Sequence, residues 1–110
     1  MKNNNKIVAY ISKFTFSRFG LKVNLFIDHQ HISYALSNEE QQQWKKKLTP
    51  SIREYVWQQV YEDLEYDIPL CTILEVITYT CLPITIDTIE ENRVLKITDI
   101  QLGMHIHNKE

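Results

Sequence analysis

An α+β fold is what these 110 residues predict: an antiparallel sheet built from N-terminal and C-terminal strands, packed against a central helical hairpin. Three observations carry that expectation. Apolar residues alternate with polar ones near both ends of the chain. Helical chemistry with an apolar residue every fourth position fills the middle. The length suits one domain with a single core.

Taken in order, "KIVAYIS" (6–12) and "LKVNLFI" (21–27) read as strands flanking "KFTFSRFG" (13–20). In the second, Leu21, Val23, Leu25 and Ile27 alternate with Lys22, Asn24 and Phe26, the period of a half-buried strand. "HISYAL" (31–36) extends that strand or forms a third. Ser37 followed three residues on by Glu40 is a capping-box pattern that opens a helix over "SNEEQQQWKKKL". Thr49-Pro50 then reads as the start of a second helix, Thr49 as N-cap and Pro50 at the first helical position. On it, Ile52, Val56, Val60 and Leu64 form one apolar ridge. Residues 68–83 suit a buried helix capped by Asp67, although their Ile, Val and Thr content also suits a strand. The length between Pro69 and Pro83 favours helix. "ITIDTIE" (84–90) and "RVLKITDIQLGMHIH" (93–107) flank a turn at "EN". A change of apolar parity near Thr98-Asp99 predicts a bulge, after which Met104 and Ile106 turn inward and His105 and His107 outward.

The length fits one domain spanning 1–110. The net charge of −2 hides a polarity: residues 1–47 carry eight Lys/Arg against three acids, and residues 48–110 carry four against eleven. Such asymmetry steers a charged macromolecular partner. No signal peptide and no run long enough to span a membrane is visible, which makes the cytoplasm the expected compartment. With only Gly20 and Gly103, the glycine-rich loops that cradle phosphates are excluded.

All four histidines fall in two pairs, His29/His31 and His105/His107. On a strand, an HxH pair directs both imidazoles to one face, as two ligands of one metal require. The motif carries little information and lacks a carboxylate partner, so neither metal, cofactor nor catalytic residue is expected. Cys71 and Cys81 have no metal-ligand spacing and read as small buried hydrophobes. Lys45, Lys46, Lys47 and Arg53, with Lys13 and Arg18 interleaved among Phe14, Phe16 and Phe19, offer phosphate contacts and base-stacking rings. That pattern makes a nucleic-acid-associated accessory or regulatory protein the alternative function. The sequence pI near 6.1 speaks against direct nucleic-acid binding.

The segment "REYVWQQVYEDLEYD" is the strongest candidate site. Trp57, Tyr61 and Tyr66 fall off the apolar ridge, among Glu62, Asp63, Glu65 and Asp67. Rigid aromatics supply contact area and acids supply steering, the composition of a hot spot for a basic protein. In size, acidity and this acidic–aromatic character, the chain resembles the immunity proteins of bacterial contact-dependent growth-inhibition (toxin/immunity) systems. The resemblance implies a non-enzymatic toxin inhibitor. Its partner would be a cognate nuclease domain, a ribonuclease before a deoxyribonuclease, whose cationic active site the carboxylates would occlude.

Overall fold

The computed structural model describes residues 5–18, 20–59 and 68–104, with the side chains of residues 55–59 outside the description. The order of elements is β1 (Asn5–Ser17), β2 (Gly20–Ile27), β3 (Gln30–Leu36), α1 (Asn38–Gln59), α2 (Leu70–Tyr79), β4 (Pro83–Glu91) and β5 (Val94–Leu102). The strands form one sheet in the order β3-β2-β1-β4-β5, every pair antiparallel. The two helices pack on it, so the α+β class with strands from both ends of the chain holds.

Alternation decides which face is buried. Leu21, Val23, Leu25 and Ile27 of β2 point to the same side as Ala9 and Ile11 of β1 and Ile84 and Ile86 of β4. They meet Trp44, Leu48 and Ile52 from α1 and Ile73, Leu74 and Ile77 from α2. Each Val, Leu or Ile side chain so removed from water contributes about 1.5–3 kcal/mol. Residues 13–17, read as a connection, instead continue β1, because Phe14 and Phe16 keep the alternation going opposite Val23 and Leu21. "HISYAL" belongs to a separate third strand, joined to β2 by a two-residue turn in which Asp28 and His29 both have positive φ. The turn after β4 sits one residue later than "EN", at Asn92-Arg93, again with two positive φ angles.

The parity change near Thr98-Asp99 is a bulge. Asp87 faces Asp99 while Thr88 faces Ile97, so Thr98 is the extra residue. Beyond it β5 ends at Leu102 and Met104 is exposed, contrary to the inward position expected for it. A second bulge falls at Ser12, between Ile11↔Leu25 and Lys13↔Asn24.

The expected break at Thr49-Pro50 does not occur: Asn38–Gln59 is one helix with Pro50 inside it. Trp44, Leu48 and Ile52 run four apart across the proline and are all buried, so one apolar ridge holds the helix together. Pro50 is exposed, and so is Lys46, whose carbonyl the missing N–H would have met; water can take its place. Thr49 Oγ1 donates to the Lys45 carbonyl at 2.6 Å, adding a bond beside the interruption. The helix begins on the expected capping box, with Ser37 N–H donating to Glu40 Oε1 (2.9 Å) and Glu40 N–H to Ser37 Oγ (3.1 Å). Residues 68–83 are helical over Leu70–Tyr79. The N-cap is Pro69, with no side-chain cap; Asp67, expected there, lies outside the described residues.

The sheet is strongly staggered. Along β1, β2 is paired over Tyr10–Ser17 and β4 over Asn5–Tyr10. Tyr34 is level with Phe14 through Val23, and Ile97 is level with Asn5 through Thr88, nine residues apart on β1. Yet the Ile97 N–H donates to the Tyr34 hydroxyl at 3.1 Å. Such an offset is the shear that curls a small sheet towards a barrel, bringing its two edges face to face. The Tyr34 hydroxyl in turn donates to Glu40 Oε2, so one carboxylate caps α1 and ties β3 to β5. Burial and then the hydrogen bond to Glu40 push the Tyr34 pKa up from 10.0 to about 12, partly countered by the Ile97 N–H.

Candidate protein-binding surface

Helix α2 has two unlike sides. Leu70, Ile73, Leu74 and Ile77 are buried, whereas Glu75 and Tyr79, four apart, share the exposed side. Tyr79 is 92% exposed, far more than an aromatic ring with a packing role. Across from it on β1, Phe14 packs against the core and stands edge-on to Phe16, ring centroids 6.0 Å apart. Phe16 is 44% exposed. Between helix and strand lies a hollow of about 510 Å³ lined by Phe14, Glu75, Val76, Thr78, Tyr79 and Thr80.

The hollow's shape depends on how α2 stops. Leu82 N–H bonds to the Ile77 carbonyl (3.0 Å) and Cys81 N–H to the Thr78 carbonyl (3.3 Å), the paired bonds of a Schellman ending. Cys81 takes the left-handed position with φ 55°, where glycine is usual. Thr80 Oγ1 donates to the Val76 carbonyl at 2.5 Å. Thr78 Oγ1, in the same wall, is buried with no hydrogen-bond partner among the described residues. An unsatisfied buried hydroxyl costs about 1–3 kcal/mol. The surface therefore presents rings, one carboxylate and one unmet polar group around an apolar depression.

Other sequence-derived candidates are scattered. Of the acidic–aromatic segment, Tyr61, Glu62, Asp63, Glu65, Tyr66 and Asp67 lie outside the described residues, as does the side chain of Trp57 on α1. Val56, Val60 and Leu64 of the expected ridge fall outside in the same way. Phe14 and Phe16 face the helices, while Lys13 pairs with Asn24 on the opposite face of the sheet, so rings and cations do not interleave there; Phe19 is outside the description. Lys47 is ion-paired with Asp99 at 3.3 Å and Lys46 points to solvent, since successive helical residues diverge around the axis.

His29 and His31 are exposed, and their rings lie 6.4 and 4.9 Å from that of Phe26. His105 and His107 lie outside the description. The strand that carries His31 pairs with β2, with β1 and β4 between it and β5. Among the described residues no three His, Cys, Asp or Glu side chains gather as a metal site would need. Both cysteines are free and exposed, against the expectation of burial: Cys71 falls on the outer side of α2 and Cys81 in its terminal turn.

Tyr79 was passed over in the sequence, although the 70-73-74-77 spacing assigns the core side of α2 and leaves 75 and 79 off it. The hollow beside it was not legible, since it depends on β1 running on through Phe14 and Phe16. No described helix is long and apolar enough to cross a membrane. Compared with protein-family models, with curated proteins and with solved structures, the chain matches none of them.

Proposed function

We propose that the protein is a small, non-enzymatic binding protein that neutralises a cognate toxin domain by covering its active site. The partner we favour is a basic nuclease, a ribonuclease before a deoxyribonuclease. The observation that carries the reading is the α2 surface. A tyrosine 92% exposed stands with Glu75 beside an apolar hollow of about 510 Å³. Exposed rings beside an apolar depression, with a carboxylate at the rim, are what a protein partner buries at a hot spot. The run from Trp57 to Asp67 adds acids and aromatics of the same kind, and residues 48–110 carry most of the chain's acids. Carboxylates there would stand in for phosphates in a cationic cleft, and the rings would anchor the contact.

The test is growth rescue by co-expression with the product of a toxin-like reading frame adjacent to this gene, followed by binding kinetics. Charge reversal at Asp63 and Glu65 should slow association and weaken its salt dependence, and Tyr79→Ala should speed dissociation. Unchanged kinetics in both variants would remove this surface and segment from the interface. Micromolar, salt-sensitive retention of RNA or DNA on a filter by the protein alone would instead favour the nucleic-acid accessory role.

A further inference from the structure

The curl of the sheet leaves β3 and β5 facing each other across an open slot. Near Tyr34 and Ile97 the gap is bridged by a phenol and one hydrogen bond rather than by a ladder. Paired strands sit about 4.8 Å apart, and a tyrosine side chain plus a hydrogen bond spans at most about two such spacings. One strand fits such a gap. Helix α1 covers the part beyond Ile97, where Lys47 meets Asp99. On the other side of Tyr34 a cavity of about 550 Å³ opens between Ile32–Ala35 and Arg93–Lys96.

The backbone groups facing this slot follow from the two turns. In a two-residue hairpin the residues flanking the turn exchange hydrogen bonds, and the pairs alternate from there. Counting from Ile27↔Gln30, the outward pairs on β3 are those of His31, Ser33 and Ala35. Counting from Glu91↔Val94, Leu95 and Ile97 point away from β4, and the Ile97 N–H does cross to Tyr34. Four antiparallel steps separate β3 from β5, so the two edges run in the same direction. A single strand running the other way would be antiparallel to both, and would complete a six-stranded barrel.

We propose that this slot binds an extended peptide segment of a partner protein by strand addition, and that the segment alternates apolar and acidic residues. With Tyr34 level with Ile97, Ile32 stands opposite Leu95 on the inner face and Ser33 opposite Lys96 on the outer face. An inward side chain of the peptide thus meets Ile32 and Leu95, and an outward one lies beside Lys96. Arg93 and Lys96 are exposed and form no ion pair with a described residue. The nearby Glu40 carboxylate is already engaged by Ser37 N–H and Tyr34. Glu90, also exposed, faces Leu95 on the inner side, whereas on the outer side Lys96 stands across from Ile89, so the outer face of the slot is cationic there and selects acids at the outward positions of the peptide. This surface and its charge differ from those of the preceding section, and the inference stands without that reading.

The probe is a fluorescein-labelled heptapeptide alternating Val and Glu, titrated into the full chain while backbone amide exchange is followed by NMR. Saturable binding is expected, about tenfold weaker for the Val/Lys counterpart. The amides of His31, Ser33 and Leu95 should gain protection, while those of Ile32 and Tyr34, already in the ladder, do not change. Ser33→Pro removes only an outward donor on an edge strand and should abolish binding with the fold intact. Lys96→Glu should reverse the charge preference. Three outcomes would overturn the proposal. These are no saturable binding up to millimolar peptide, strong protection of the slot amides in the free protein, and their burial by a second copy of the chain.

Discussion

Tyr34 concentrates more consequence than any other described side chain. Its hydroxyl accepts from the Ile97 N–H and donates to Glu40, so it works only while protonated. The folded chain raises its pKa from 10.0 to about 12, chiefly by burial. A group held more tightly protonated when folded contributes stability that is complete below pH 10 and is lost between pH 10 and 12. The stability difference between the wild type and Tyr34→Phe, measured by urea unfolding, should therefore shrink across that window. A constant difference would mean that the hydroxyl does not couple to folding. Cys81 is a second residue with a readable cost. At φ 55° a Cβ is strained, and Cys81→Gly should raise stability by about 1 kcal/mol in the same assay. No gain would show that the thiol makes compensating contacts. Neither residue was legible in advance. Tyr34 looked like one more aromatic in a strand, and its partner Ile97 is 63 residues away. Cys81 was read as buried because free cysteines usually are.

At the scale of elements, local chemistry was easy to read and helix continuity was not. The Ser37–Glu40 box, the alternation in β2 and the parity slip at Thr98 are each written in neighbouring residues, and each appears where expected. Thr49-Pro50 misled because the same dipeptide opens helices and is tolerated inside one. What distinguishes the two cases is the Trp44–Leu48–Ile52 ridge running through it, together with an exposed proline. Interior proline costs about 3 kcal/mol in a host helix, part of which returns as reduced freedom of the unfolded chain. Pro50→Ala should accordingly stabilise the protein by about 1–2 kcal/mol, visible as a higher midpoint in thermal unfolding. Destabilisation would show that a bend at Pro50 is needed to seat Trp44 and Ile52 together. The candidate site divides in the same way. Tyr79 could be placed on the outside of α2 from spacing alone, while the hollow beside it needed the true length of β1.

For the whole molecule, the stagger of the sheet matters more than the inventory of strands. Strand order and curl come from pairings between distant residues, such as Asn5 with Thr88, which no local pattern announces. The curl also manages an old hazard. Free sheet edges recruit other chains, and here both edges are turned towards each other with α1 over part of the opening. The same stagger sets an order of assembly. Ladder β1–β2 and ladder β1–β4 overlap only at Tyr10, beside the bulge at Ser12. The β1–β2–β3 meander and the β4–β5 hairpin close short loops, whereas joining β1 to β4 closes a loop of more than seventy residues. Loop-closure entropy makes that join the late event in folding. Val23→Ala, within the meander, should therefore slow refolding, whereas Ile86→Val, on the β4 side of the late join, should leave refolding nearly unchanged and speed unfolding. Stopped-flow chevrons would read both, and the opposite pattern would put the long closure first. By this account Tyr10 is the point at which two separately formed pieces of chain become one cooperative unit.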